Sequence, residues 1–351
     1  MSTDIRMKDK RIMITGHTGF LGSWLTFTLL QIGAIVGGFA LDPPTNPSLF
    51  NILNLTDDIA DFRGDICDHY ALNTAIRKFD PEVIIHLAAQ PLVLSSHKSP
   101  INTFQTNIMG TVNALDIFSN RGPIRSFISF TSDKVYRNDE KGEPFTEMAA
   151  LGGYDPYSAS KSCSDIISAS YRNNFINSNE KAISIIRAGN IIGGGDWGEN
   201  RLITDLMKAI KFKNKLRLRN PYAVRPWQHV LDVTHGLTNL ISLTLSEPKK
   251  YSDDFNIGPY PFYKYSVAEL ISLFGRYWKL PDIEYVESNF HESILLNLCT
   301  EKAHNLIGWR TYLNFSESVR LTSDWYKEYF DEGDMITFTA NQIQHYQDLL
   351  E

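Results

Sequence analysis

A five-residue apolar run, Arg11–Thr15 (RIMIT), leads straight into Gly16-His17-Thr18-Gly19-Phe20-Leu21-Gly22 and then into a helical pattern. This strand, glycine turn and helix constrain the chain more than any other stretch. Glycine reaches positive φ at no steric cost and lets a bound group approach the backbone closely. The helix that follows opens with unpaired N–H groups and a partial positive charge, which suits a pyrophosphate. GxxGxxG in isolation is a weak signal. After a strand, before a helix and near the start of the chain, it predicts dinucleotide binding. All seven residues of the turn are candidate cofactor contacts; the alternative is a tight turn that serves packing only.

The pattern downstream agrees. Short β-rich runs at Ala34–Phe39, Val83–His86, Ser126–Thr131 and Ala182–Arg187 alternate with helical stretches from Gly22 to about Ile32, Tyr70 to Phe79, Pro100 to Asn120 and Tyr157 to Phe175. Apolar runs set between helices read as buried parallel strands. The fold class expected is α/β: a doubly wound, Rossmann-like parallel sheet with a smaller α+β substrate-binding region toward the C-terminus. Residues 1–188 with roughly 228–258 form the expected dinucleotide-binding domain, and roughly 189–227 with 259–351 the substrate-binding domain. The last stretch of the chain reads as a terminal helix.

Asp42 stands about 20 residues past the glycines, near the spacing of a carboxylate on the ribose 2′-hydroxyl. Its place before Pro43-Pro44 equally suits a turn residue. No arginine stands nearby to welcome a 2′-phosphate, so NAD is favoured over NADP. Asp65 and Ile66 follow another strand-like run and could hold the adenine edge. Leu87-Ala88-Ala89-Gln90, after the run Val83–His86, offers small residues beside the cofactor.

Charge and cysteine usage exclude other classes. The net charge of −6 disfavours nucleic acid as the main partner. Lys208, Lys211, Lys213, Lys215, Arg217 and Arg219 crowd one stretch, which is either a solvated face or a holder of a substrate diphosphate. Cys67, Cys163 and Cys299 are far apart, without zinc or disulfide spacing, and fit a reducing cytoplasm. No apolar run is long enough to cross a bilayer, and the first ten residues lack the apolar core of a signal peptide. No metal is expected: His291-Glu292 begins a metalloprotease pattern, but Leu295 stands where the second histidine belongs.

Tyr157 and Lys161, in YSASK, lie four residues apart on one helical face. A nearby cation lowers a phenol's pKa, so the tyrosine is expected to serve as a base near neutral pH. The run Ser126–Thr131 leads into Ser132-Asp133-Lys134, and Ser132 can share the proton of a substrate alcohol with Tyr157. Together with the glycine loop, these are the parts needed for hydride transfer from a secondary alcohol to nicotinamide. On sequence chemistry alone, Asp133-Lys134 also reads as an ordinary strand-end ion pair.

The glycine loop, the strand-end serine and YxxxK resemble extended short-chain dehydrogenases. GHTGFLGSWL, DPPTNPSLF, HLAAQPLV, TSDK, GGYDPYSASK, RAGNIIGGGDW, NRLI, RNPYAVRPWQHV and the late HES and LIGW narrow the likeness to CDP-glucose 4,6-dehydratases, from about Gly16 to Trp309. The resemblance implies an internal redox reaction with NAD on a nucleotide-diphosphate hexose. Tyr157, Ser132 and Lys161 would serve hydride removal from sugar carbon 4. Asp133 would protonate the departing carbon 6 hydroxyl, and Lys134 would stand where the carbon 5 base belongs. It adds Thr106 and Thr131 to the cofactor contacts. Gln90, Asn190, Arg201, Leu202, Arg219, Arg225, His229 and His291 become the expected substrate contacts, with arginines suited to phosphate. A homodimer is expected, because two long helices in this fold commonly pack across a two-fold axis. The rival reading is a nucleotide-sugar 4-epimerase, which has no need of an Asp133-Lys134 pair; more distant is a non-catalytic dinucleotide-binding regulator.

Overall fold

The computed structural model describes residues 7–261, 263–287 and 295–350. Its centre is a seven-stranded parallel sheet built from β1 (Arg11–Thr15), β2 (Ile35–Ala40), β3 (Ala60–Arg63), β4 (Val83–His86), β5 (Ser126–Phe130), β6 (Ala182–Ala188) and β7 (Asp254–Ile257), in the order β7-β6-β5-β4-β1-β2-β3. The order reverses at β1, where the next strand in space switches from β2 to β4. Ligands in such sheets bind at that switch point, beyond the carboxyl ends of the strands.

Strand alternation divides the apolar residues between two helical layers. Ile12, Ile14, Val83, Ile85 and Ile128 face α1 (Phe20–Gln31) and α6 (Val230–Ser246), meeting Leu25, Leu29, Val233 and Leu237. Met13, Ile84 and Phe127 face the other way, onto α2 (His69–Phe79) and α3 (Gly110–Asn120), meeting Leu72, Ile76, Leu115 and Phe118. Both faces are covered, which is why these strands read as continuous apolar runs. α4 (Pro156–Asn174) joins the second layer through Ile167 and Tyr171.

A third core lies beyond the carboxyl ends of the strands. α5 (Leu202–Phe212), α7 (Val267–Phe274), α8 (Phe315–Phe330) and α9 (Met335–Asp348) contribute Leu206, Phe274, Trp325 and Tyr346, and α1 contributes Trp24 and Phe27. The glycine-rich segment 193–195 runs beneath it. A Cβ on Gly194 would sit 2.0 Å from the Trp325 ring, and Trp24 Nε1 donates to the Gly194 carbonyl at 2.9 Å. The IIGGGDW text is therefore a packing device that brings Asp196 and Trp197 to the cavity edge.

Three expectations shift. β2 begins one residue later than the sequence predicts and ends on Ala40. The helical stretch 100–120 is broken by a π-helical turn at Gln105–Met109. β3 is the strand-like run before Asp65, while β7 (DFNI), with only two apolar residues, falls in the expected dinucleotide-binding domain without being singled out as a strand. Among the described residues no helix is long and apolar enough to cross a membrane, and no cluster of His, Cys, Asp or Glu could hold a metal ion.

Candidate active site

A cavity of about 2130 Å³ opens over the switch point, walled by the glycine turn, the ends of β2 to β6, the start of α4, segment 189–203 and segment 214–227. Single-ligand pockets usually hold about 300–1,000 Å³, so this space fits a dinucleotide together with a second ligand.

Its floor is backbone. Gly16 adopts φ +79°, and a Cβ there would lie 2.8 Å from the Ala88 nitrogen; a Cβ at Gly22 would lie 2.2 Å from the Gly16 carbonyl oxygen. Gly19 caps α1 without a side-chain bond, leaving the first-turn N–H groups of Phe20 and Leu21 for an anion. Thr18 Oγ1 donates to the Leu41 carbonyl at 3.0 Å and ties the turn to the end of β2. Asp42, Asp65, Ile66, Leu87, Ala88, Ala89, Thr106 and Thr131 all line the same space. Thr131 is spoken for, since its hydroxyl donates to the Ile186 carbonyl at 3.0 Å. The glycine cradle and helix terminus fit a pyrophosphate, and the Asp42 carboxylate fits a ribose hydroxyl.

Several sequence expectations need correction. The His17 side chain turns away from the cavity into a fully buried niche against Phe50, with Nε2 on Asp61 Oδ1 at 2.9 Å. Burial pushes its pKa down to about 4. Gln90 lies under the cavity wall rather than in it; its amide donates to Thr103 Oγ1 at 2.9 Å and accepts from the Leu92 N–H at 2.6 Å. His229 is fully buried and caps α6, accepting from the Leu231 N–H at 3.2 Å, with its pKa pushed down to about 3 by burial. Its ring stays out of the cavity because the helix start needs an acceptor there. An arginine does stand near Asp42: folding brings Arg63, at the end of β3, to 3.9 Å from its carboxylate. His291 lies outside the described residues.

The catalytic candidates converge at the ends of β5 and α4. Asp155 caps α4 and Pro156 starts it, so Tyr157 projects from the first turn. The phenol is buried, and burial pushes its pKa up to about 12 despite its hydrogen-bonding contact with Ser132, which pulls the other way. The expectation of a depressed phenol pKa therefore fails in this state: desolvation outweighs any help from Lys161. Burial acts on Lys161 too, pushing it down to about 8, and its ammonium donates to the Phe130 carbonyl at 3.0 Å. Ser132 Oγ donates to Asp133 Oδ1 at 3.0 Å, and the Lys134 ammonium lies 3.3 Å from that same oxygen. Ser132, Asp133, Lys134, Tyr157 and Lys161 all line the cavity.

On the far wall Asn190, Arg201, Leu202, Arg219 and Arg225 line the cavity. Arg201 Nη1 donates to Asp196 Oδ2 at 2.9 Å, and the Asn190 Oδ1 is buried without a hydrogen-bond partner among the described residues.

Two supports escaped the sequence reading. Asn107, inside the π-helical turn, bonds the Gln90 backbone in both directions and donates to Ser160 Oγ at 2.8 Å, pinning the Ala88–Gln90 loop to α4. Arg187 and Asp165, both buried, form a bidentate pair at 2.7 Å and 2.7 Å that locks α4 to β6. The available signal was an arginine inside the apolar run AISIIRA, where a buried charge must find a partner.

The GDP-mannose 4,6 dehydratase family model matches residues 13–259. CDP-glucose 4,6-dehydratase of Salmonella typhimurium is 38% identical over 348 residues, 96% of each chain. A dTDP-glucose 4,6-dehydratase from Bacillus anthracis, solved in complex with NAD, superposes with a TM-score of 0.77 at 24% identity over 93% of this chain and 99% of the other. A UDP-glucose 4-epimerase from Thermus thermophilus, complexed with NAD, gives 0.78 at 23% over 90% and 99%. The fold alone thus serves both dehydratases and epimerases. With both that family model and the relative at 38% identity spanning most of its length, the chain belongs to the GDP-mannose 4,6 dehydratase family.

Proposed function

We propose that this nucleotide-sugar 4,6-dehydratase uses NAD to convert CDP-glucose to CDP-4-keto-6-deoxyglucose. The observation that carries it is the placement of Asp133 and Lys134 beside Ser132 and Tyr157 on one cavity wall. An epimerase needs only the last two. The name of the relative at 38% identity supports the choice of a cytidine nucleotide.

Gly16, Gly19 and Gly22 with the start of α1 would hold the pyrophosphate of NAD, and Asp42 its adenosine ribose; bound there, it would supply the hydride acceptor for sugar carbon 4 and the donor for carbon 6. Tyr157, beside Ser132, receives the proton of the carbon 4 hydroxyl in its ionised form, and the positive charge of Lys161 offsets the cost that burial puts on that phenolate. The ketone acidifies the carbon 5 proton, which Lys134 removes as the neutral amine, while Asp133 as the carboxylic acid gives a proton to the departing carbon 6 hydroxyl; a proton passed from Nζ to Oδ1 across the 3.3 Å pair sets up both forms. One water leaves. Arg201, Arg219 and Arg225 balance the substrate diphosphate.

The reading extends to a cytoplasmic homodimer. Ile101, Met109 and Ile166 are exposed apolar side chains on the two long helical stretches that support the site.

Purified protein incubated with CDP-glucose and NAD is expected to give a product lighter by one water, with the alkaline ultraviolet absorbance of a 4-keto-6-deoxy sugar and no net NADH. Unchanged mass with scrambled carbon 4 configuration would establish the epimerase instead. Turnover only of another nucleotide hexose would overturn the cytidine assignment and keep the chemistry.

A further inference from the structure

At the β2 end of the cavity the chain assembles a small charge cluster. The Leu41 carbonyl accepts from both Thr18 Oγ1 at 3.0 Å and Arg63 Nη1 at 3.1 Å, so the glycine turn, the end of β2 and the end of β3 meet at one atom. The next residue, Asp42, lines the cavity with its side chain 93% exposed. Its carboxylate lies 3.9 Å from Arg63 Nη1. The guanidinium is held in place from the other side: Nε and Nη2 donate to Asp61 Oδ2 at 3.1 and 2.6 Å, and its plane lies over Phe50 with its carbon 4.9 Å from the ring centre. Asp61 is itself anchored by His17 at 2.9 Å, and that imidazole is neutral at physiological pH because burial pushes it down to about 4.

The cluster therefore carries two carboxylates against one guanidinium. It repels a second anion although it contains the group best shaped to bind one. A guanidinium offers five N–H donors in a rigid fork, and the contacts to Leu41 and Asp61 use three of them.

We propose that Arg63 is a latent specificity determinant for the dinucleotide: a guanidinium fixed by Asp61 beside the adenosine ribose and withheld from a 2′-phosphate by the added charge of the exposed Asp42 carboxylate. The inference rests on the reading of this cavity as an NAD site. Neutralising Asp42 removes the repulsion and leaves an arginine whose position is already set by Asp61 and Phe50, so NADP gains a partner without any new residue.

The test is calorimetric titration of the purified protein with NAD and with NADP, in the absence of sugar. The wild type is expected to bind NAD and strongly disfavour NADP. Asp42→Asn should narrow the preference by about tenfold or more, a difference of about 1.4 kcal/mol. Asp42→Asn/Arg63→Gln should lose that gain while still binding NAD, which shows the variant is folded. Asp42→Asn/Arg63→Lys should keep part of it, since an ammonium retains the charge without the fork. A gain of NADP affinity of equal size with and without Arg63, or none while NAD still binds, overturns the proposal and leaves the cavity reading intact. Failure of the wild type to bind either dinucleotide overturns the cavity reading and the proposal with it.

Discussion

Asp133 Oδ1 is shared by the Ser132 hydroxyl and the Lys134 ammonium, while the buried Oδ2 of the same carboxyl has no hydrogen-bond partner among the described residues. A carboxyl with one oxygen anchored and the other left without a partner in the cavity wall has an oxygen free to carry the proton for a leaving hydroxyl. Asp133→Asn keeps the anchor and removes the acid. It is expected to lower kcat by about 10²–10³-fold while hydride still leaves the sugar. Reduced cofactor should then accumulate on mixing with substrate, which stopped-flow absorbance reads. Loss of both steps together would assign Asp133 to folding of the site instead.

Lys161 is expected to govern the alkaline side of the pH profile. Burial pushes its pKa down to about 8, so the positive charge near Tyr157 is full below that value and lost above it. We expect kcat/KM to fall as pH rises through about 8. Lys161→Arg, cationic throughout that range, should extend activity to higher pH even with a lower maximum. An unshifted alkaline limb in the arginine variant would place the limiting group elsewhere.

Gly22→Ala forces a methyl to within 2.2 Å of the Gly16 carbonyl, which is backbone and has little room to yield. Dinucleotide affinity should drop at least about tenfold, equivalent to about 1.4 kcal/mol, with a lower melting temperature. Gly122→Ala is the control: nothing lies within 4 Å of its added Cβ, and both readings should stay near wild type.

The Arg187–Asp165 pair is a stability element that also aligns α4. Asp165→Asn leaves a buried guanidinium with Asp254 and neutral acceptors only. Removing one partner of such a pair costs about 3–5 kcal/mol. Denaturant unfolding of the single and double variants should show strong non-additivity, Asp165→Leu/Arg187→Met losing less than the sum of its parts.

Buried ionisable groups set the pH dependence of stability. Burial holds His17, His86, His229 and His235 neutral, with pKa values near 4, 3, 3 and 4. The unfolded chain protonates them near 6.5, so stability present above that pH is lost as pH falls toward 4. Asp232 opposes this. Burial lifts it from 3.8 to about 7, so between those values the fold keeps a proton that the unfolded chain releases. Burial raises Glu147, Asp165 and Asp205 in the same sense as Asp232, yet the four histidines, all held far below 6.5, give the larger change, and the urea midpoint should be lower at pH 5 than at pH 7.5. Asp232→Asn still accepts from Tyr312 N and Tyr346 Oη, both at 2.8 Å in the wild type. It should steepen the acid loss and raise stability at pH 8. An unaltered slope would exclude Asp232 as the opposing group.

The sheet and the meeting of Ser132, Tyr157 and Lys161 in one cavity wall were legible because local pattern and tertiary placement coincide there. RIMIT and SFISF are apolar on both faces, and YSASK needs only one helical turn to present its phenol and amine together. What escaped depends on partners far along the chain. Arg63 lies 21 residues beyond Asp42 in sequence, and only the β2–β3 pairing brings the two together. His17 and His229 looked like ligands because their neighbours are, yet a glycine opposite one and a bare helix end above the other drew them inward. Tyr157 was misjudged electrostatically: helical spacing reports the nearby lysine but not the depth of burial that outweighs it.

β6 ends at Ala188, but the strand that covers its outer edge begins only at Asp254. During synthesis, roughly 5–20 residues emerge each second, so β6 waits seconds with an unpaired apolar margin. Bare strand edges invite pairing with other chains, and a charge on the edge discourages it. Arg187 sits on that waiting strand, before Asp254 exists to receive it. Asp165, made earlier, can take the guanidinium in the meantime, but only Asp254–Ile257 can pair the bare edge, so a chain cut short before residue 254 keeps the hazard without the cover.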